Sequence, residues 1–463
     1  MKTAARIGSM ATVMLTRLGL CASTGQAQTF CFGPPALYRA SYSPRAIAIA
    51  DVNGDGARDM IIANDASETL SSVSVFKNYG DGSFAPSQWY LTGTYSSALC
   101  AADIDADGDV DLAIANWGSN DVSILKNNGA GNFSAAGTFN TQNMPSAVAG
   151  ADFDGDGDLD LAVAGGTGVS ILKNNGTGIF SAPVVDTAGY SASGMVAADL
   201  NGDGHPDLAI AKSYRNFVTI LPGNGDGTFS AQVNYPAGTG PSAIVSADFN
   251  ADLHPDLATG NWTSDSVSVM LNNGDGTFAT PALYPAGGWP SAITAADLDA
   301  DGAIDIAAAN YQSADFSILT NNGAGSFAPG ITVATGSRPF GIAAADLDGD
   351  TDPDIAIAEN GTGYGAVYLS CRVIACICPN QGDLNHDGLL DVFDVNGVIG
   401  AAFSGAPDTV DVNCPVSRGD VNADQATDVF DVIDLIATVF SSGPGPADPC
   451  QPPRTSPAHH IPN

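Results

Sequence analysis

Positive charge is what this chain has least of. Lysine and arginine together number 15 against 50 acidic residues in 463, a formal net charge of -35. So acidic a molecule repels phosphate backbones and anionic lipid, which argues against a nucleic-acid or membrane-surface partner. Glutamate occurs only at Glu68 and Glu359, and there are five histidines. There is no His-Glu-x-x-His and no Gly-x-Ser-x-Gly, so the chain carries neither the zinc-protease nor the nucleophile-elbow signature. A carboxylate pair for glycoside cleavage stays open, because aspartate is abundant. Beyond residue 27 no run reaches the roughly 18 apolar residues of a membrane helix.

Residues 1–27 read as a secretory signal, which implies a secreted or cell-surface protein. Lys2 and Arg6 give a basic start, Met10–Ala22 is a largely apolar run interrupted by Arg17, and Gly25-Gln-Ala27 suits cleavage. Cys21 follows Leu20, too large a residue for a lipidation signal. Export permits disulfides among the remaining cysteines. Cys100 lies in an apolar strand and is expected to be a free thiol; Cys31, Cys371, Cys376, Cys378, Cys414 and Cys450 can pair.

What the chain has in quantity is aspartate in one recurring phrase. A nine-residue acidic segment starts at residues 51, 103, 152, 199, 248, 297 and 346. Positions 1, 3, 5 and 9 carry carboxylate or amide oxygens, and position 6 is usually glycine. The first copy offers Asp51, Asn53, Asp55 and Asp59; the second Asp103, Asp105, Asp107 and Asp111. The third offers Asp152, Asp154, Asp156 and Asp160; the fourth Asp199, Asn201, Asp203 and Asp207. The fifth has Asp248, Asn250, Asp252 and Asp256; the sixth Asp297, Asp299, Asp301 and Asp305; the seventh Asp346, Asp348, Asp350 and Asp354. Carboxylates this close repel one another without a cation. The spacing is that of a calcium loop, which curls its oxygens inward around a glycine at the sharp turn. Leu253 and Thr351 replace that glycine in the fifth and seventh copies, so those two sites are expected to be weaker or distorted.

A repeat of this length with several short strands is the signature of a propeller or an array. Each unit offers four strand candidates. In the second, Ala98–Ala102 enters the acidic loop, Leu112–Asn116 leaves it, Val122–Lys126 follows, and Asn127-Asn-Gly-Ala-Gly-Asn-Phe133 turns into a fourth. The acid in that turn, present as Asp81, Asp226 or Asp275 in some units, is absent from others, which marks it as a turn residue and not a ligand. The first two strands are rich in Ala, Ile, Val and Leu without polar alternation, as strands buried on both faces are. The seventh unit lacks a fourth strand, while Cys31–Tyr38 matches the fourth strand of the fifth unit, Thr277–Tyr284. The N-terminal segment is therefore expected to complete blade seven and close the ring, leaving no open sheet edge. A Cys31–Cys371 disulfide would lock that seam; pairing with the C-terminal cysteines is the alternative.

An Ala-rich strand followed by Asp-x-Asp/Asn-x-Asp-Gly-x-x-Asp-Leu, seven times over, resembles the FG-GAP/VCBS repeats and the calcium-bearing repeats of integrin α-subunits. The resemblance spans residues 28–375. It implies an all-β, seven-bladed propeller of four-stranded blades, with calcium loops between the first and second strands and a role in binding or adhesion.

After a linker at 376–381 the text changes. Asp383, Asn385, Asp387, Asp391 and Asp394 precede one helix candidate, and Asp420, Asn422, Asp424, Asp428 and Asp431 precede a second. This duplicated loop over 382–442 resembles a dockerin domain, a small α-helical EF-hand-like module, which implies two more calcium ions and a cohesin-like partner. Gln425 at the glycine position and the Val-Phe pairs Val392-Phe393 and Val429-Phe430 depart from that pattern. Residues 443–463 read as a Pro-rich tail.

The loops joining second to third strands vary most and carry aromatics. Trp117, Tyr214, Trp262 and Tyr311, with Trp289 before a first strand, are the candidate ligand-binding residues. Such rings form platforms for sugars or peptide side chains; they can also wedge between blades. The expectation is a monomeric, secreted calcium-binding module for a glycan or protein ligand. A carbohydrate-active enzyme with its site at the propeller mouth, or a structural surface protein, is the alternative.

Overall fold

A computed structural model describes Phe30 and residues 32–65, 71–186, 191–328 and 331–370. The signal segment, the linker, the dockerin-like loops and their ligands, the tail and every cysteine except Cys100 lie outside the described residues. Pro35–Ser370 form one compact unit, narrower at both ends than the 28–375 read from the repeats.

Seven four-stranded antiparallel sheets make up the described residues. The first blade is Pro44–Ala50, Asp59–Asn64, Ser72–Phe76 and Gln88–Leu91. Blades two to six repeat that order along the chain. Blade seven takes Pro339–Ala345, Asp354–Glu359 and Tyr364–Tyr368 from the end of the unit and Ala36–Arg39 from its start. Ala36 opposes Val367 and Arg39 opposes Tyr364, so the expected closure is present, on a shorter strand than the match to Thr277–Tyr284 suggested. First strands of successive blades pack against one another all the way round, the first against the seventh included.

Burial on both faces, expected of the first two strands in each unit, holds for the second strand but not for the first. Every second strand, from Asp59–Asn64 to Asp354–Glu359, is buried along its whole length. That is why these strands read as continuous apolar runs. First strands are mostly half-buried and fourth strands largely exposed. The cores lie between blades: Ile61, Val73 and Val75 of blade one pack with Leu112, Ile114 and Phe133 of blade two.

An aromatic pair at the outer edge ties each of several blades to the next. Tyr38 meets Phe84 edge-on at 5.1 Å, Tyr90 meets Phe133 at 5.3 Å and Tyr284 meets Phe327 at 5.3 Å. Edge-to-face rings at this separation add to what their buried area contributes. The Phe closing each Asn-Asn-Gly-x-Gly-x-Phe turn is thus a packing residue for the preceding blade.

Candidate metal centres and the opposite edge

In every blade the acidic loop joins the end of the first strand to the start of the second. In blade one, Ala50 pairs with Asp59 at that edge and Pro44 with Asn64 at the other. Loops between second and third strands, and the entries to first strands, therefore lie at the edge opposite the acidic loops.

The seven loops share one hydrogen-bond scheme. The position-1 carboxylate accepts the position-6 N–H, as Asp51 does from Gly56 at 2.8 Å and Asp152 from Gly157 at 3.0 Å. The position-5 carboxylate accepts the position-7 N–H, as Asp107 does from Asp109 at 2.9 Å. The position-9 Asp is wholly buried and accepts two backbone amides. Asp111 takes Ile104 N at 3.2 Å and, from the turn after the third strand, Asn127 N at 2.7 Å. The oxygens that gather in groups of three are those of positions 1, 3 and 9; the position-5 acids Asp107, Asp156, Asp301 and Asp350 stand outside these groups.

Positions 4 and 6 both hold positive φ, for example Gly54 at 72° and Gly56 at 88°. Leu253 at 70° and Thr351 at 77° follow the same path, and their amides reach Asp248 at 2.8 Å and Asp346 at 3.0 Å. The expected distortion of these two loops is absent from the backbone. The cost falls instead on two side chains in the left-handed region, where a β-branched Thr is least at ease.

The carboxylates converge. One oxygen each from Asp103, Asp105 and Asp111 lie within 4.8 Å of one another, as do those of Asp152, Asp154 and Asp160. The same holds for Asp297, Asp299 and Asp305 and for Asp346, Asp348 and Asp354. The other three loops carry Asn53, Asn201 or Asn250 at position 3. Asp105 Oδ1, Asp154 Oδ1, Asp297 Oδ1 and Asp299 Oδ2 are buried without a hydrogen-bond partner. A buried carboxylate oxygen left in this state costs free energy unless a cation answers it. Burial, reinforced by neighbouring acids, pushes Asp111 and Asp160 up to about 6 and Asp305 and Asp354 up to about 7. The donor set, all oxygen and acid-rich, fits a hard divalent cation such as calcium. In blades two and three a lysine crowds this set: Lys126 Nζ is 2.8 Å from Asp105 Oδ2, and Lys173 Nζ is 3.2 Å from Asp154 Oδ2.

At the opposite edge three of the five candidate aromatics come together. Trp262 and Trp289 stack at 5.2 Å with planes 24° apart; Trp289 and Tyr311 stack at 6.4 Å and 15°. Trp117 packs elsewhere, edge-on to Tyr95 at 6.0 Å. Tyr214 is 88% exposed and joins no ring pair among the described residues. Three members of the cluster escaped the sequence reading. Phe340 meets Tyr311 at 5.9 Å, Arg45 lies 4.8 Å over Phe340, and Arg338 lies 5.7 Å over Tyr311. The signal for them was alignment of the units at the residues flanking the start of each first strand, where Trp289-Pro290 lines up with Arg338-Pro339.

A family model described as an FG-GAP-like repeat matches residues 51–114, 103–163, 152–210, 199–259, 254–308 and 297–357. No curated protein matches the chain by sequence. Solved structures resemble it at low identity. BBS1N in complex with ARL6DN is 14% identical with a TM-score of 0.51, over 72% of this chain and 95% of that one. A Lactobacillus plantarum protein is 12% identical with a TM-score of 0.52, over 70% and 96%. An Agrocybe aegerita lectin that recognises non-reducing terminal N-acetylglucosamine is 21% identical with a TM-score of 0.49, over 74% and 96%. Likeness at these identities speaks to fold alone. The family matches run from residue 51 to residue 357, well over half of the sequence, and the chain belongs to the FG-GAP-like repeat family.

Proposed function

We propose that the protein is a secreted, calcium-loaded binding module whose acidic loops hold cations at one edge of the blades and whose aromatic edge takes a glycan or protein ligand. Calcium at positions 1, 3, 5 and 9 would neutralise the clustered charge and fix each loop between its two strands. The duplicated loops at 382–442 would tether the propeller to an assembly or surface through a cohesin-like partner.

The observation that carries the ligand reading is the gathering of Trp262, Trp289 and Tyr311, with Trp289 still 38% exposed. A contiguous aromatic cluster with an indole partly open to solvent is the kind of surface that marks a ligand-binding site. A glycan array run beside a hydrolysis screen on the purified protein tests this. Binding that Trp262→Ala removes, with no turnover, is expected. Turnover abolished by changing one acid outside the loops would favour an enzyme instead.

A further inference from the structure

Five of the seven blades are joined at the aromatic edge by one device. In blades two to six a serine at the entry to the first strand, from Ser97 to Ser291, donates its hydroxyl to a carbonyl that opens the next blade, as Ser97 does to Pro145 at 2.7 Å and Ser291 to Pro339 at 2.9 Å. Two neighbouring blades break the pattern: the equivalent residues are Phe340 in blade seven and Arg45 in blade one. The Pro44 carbonyl at that junction is served by Asn360 Nδ2 at 3.2 Å, so the blades stay joined without the serine. The two substitutions put the Phe340 ring against Trp262 and Tyr311 and the Arg45 guanidinium over Phe340.

The two arginines differ in what they have to spare. Arg45 is committed to Asp65 at 2.8 Å. Arg338 is exposed, and among the described residues it forms no ion pair, in a chain where acids outnumber bases by 50 to 15. Lying over a ring uses one face of a guanidinium and leaves its N–H edge to receive a carboxylate. Beside it, Trp289 stacks on Tyr311 with planes 15° apart and is itself 38% exposed, which leaves an indole surface of the kind a pyranose ring covers.

We infer that this edge takes an acidic saccharide, its apolar ring face on the Trp289–Tyr311 stack and its carboxylate on Arg338. The inference rests on the reading of this edge as the binding face. Local charge selects the ligand: against the general repulsion of anions by this molecule, a uronic-acid carboxylate meets at Arg338 a cation that forms no ion pair among the described residues, and a short saccharide carries far less charge than a polyanion. An acidic peptide would need the guanidinium but not the parallel rings.

The test is calorimetric titration of the full chain in calcium with a galacturonic acid trimer, the methyl ester of the same trimer, and poly-glutamate. The acid should bind about tenfold or more tightly than its ester, the worth of a charge-assisted hydrogen bond. Arg338→Gln should erase that difference at an unchanged melting temperature, while Trp289→Ala weakens both saccharides. Acid and ester binding equally, with Arg338→Gln indifferent and Trp289→Ala still damaging, would overturn the acidic class and leave the binding face standing. Poly-glutamate binding through Arg338 without either saccharide would overturn the saccharide. No binding of any probe or arrayed glycan, with Trp262→Ala silent, would overturn the binding face and the inference together.

Discussion

Asp305 shows the conflict built into each loop. Two backbone amides, Leu298 N at 3.1 Å and Asn321 N at 2.7 Å, hold its carboxylate in place. Yet burial, with Asp299 close by, lifts its carboxyl from 3.8 to about 7. Asp59 and Asp256 rise to about 6, and Asp207 rises as well, burial again the largest cause. The folded, metal-free chain therefore holds protons that the unfolded chain releases near pH 4. The stability these protons contribute is fully present below the unfolded value and is lost as pH rises through the window up to about 6–7. Calcium bound in the loops would replace those protons and reverse the slope. Thermal melts in chelator should show a higher melting temperature at pH 5 than at pH 7.5, and melts in millimolar calcium the opposite order. A second residue-scale prediction concerns Thr351 and Leu253, both at positive φ. The left-handed region costs a side-chain-bearing residue about 1–2 kcal/mol, and glycine loses about half of that gain through its looser unfolded chain. Thr351→Gly should thus raise stability by about 0.5–1 kcal/mol in denaturant titration, and Leu253→Gly somewhat less.

The asparagine that opens the glycine turn in every blade that has one except the fourth, where Gly223 stands, joins elements that repeat counting alone does not connect. Asn127 Nδ2 donates to Val110 O of its own acidic loop at 3.0 Å and to Val52 O of the preceding blade's loop at 2.7 Å. Asn174, Asn272 and Asn321 repeat this with Ile104, Leu200 and Phe249. One amide group thereby links two neighbouring loops. Asn127→Ala leaves two carbonyls unanswered and should cost about 1–3 kcal/mol. Asn128→Ala, at an exposed position, should cost well under half as much by the same denaturant titration. The turns were legible in the sequence because Gly-x-Gly recurs at fixed phase. The inter-blade reach of Asn127 was not, since its partners lie 17 and 75 residues away and are backbone atoms without a sequence signature. The same holds for the amides that Asp111 receives and for the positive φ of Ala106.

At the scale of the whole molecule, the ring depends on a strand borrowed from its own start. Ala36–Arg39 covers Tyr364–Tyr368 and brings Tyr38 against Phe84 of blade one. A chain starting at residue 40 would expose the Tyr364–Tyr368 edge and undo that aromatic contact. It should melt well below the full chain and aggregate on light scattering. Blade number and closure were readable because the seventh unit is short by one strand and residues 31–38 supply its match. The cluster at the aromatic edge was half readable. Trp262, Trp289 and Tyr311 stood out as rings in variable loops, but Arg45 and Phe340 acquire meaning only beside the serines that replace them elsewhere. Cations gripped by the acidic loops remain the foundation of this account. Each bound ion at a hundredfold excess over its dissociation constant adds about 2.7 kcal/mol to the folded state. Native mass spectrometry of the full chain at millimolar calcium, paired with melts before and after chelation, measures this directly. Seven or more calcium ions per chain, lost to chelator together with a clear fall in melting temperature, is the predicted result. A chain that retains no calcium and melts at the same temperature with and without chelator would contradict it.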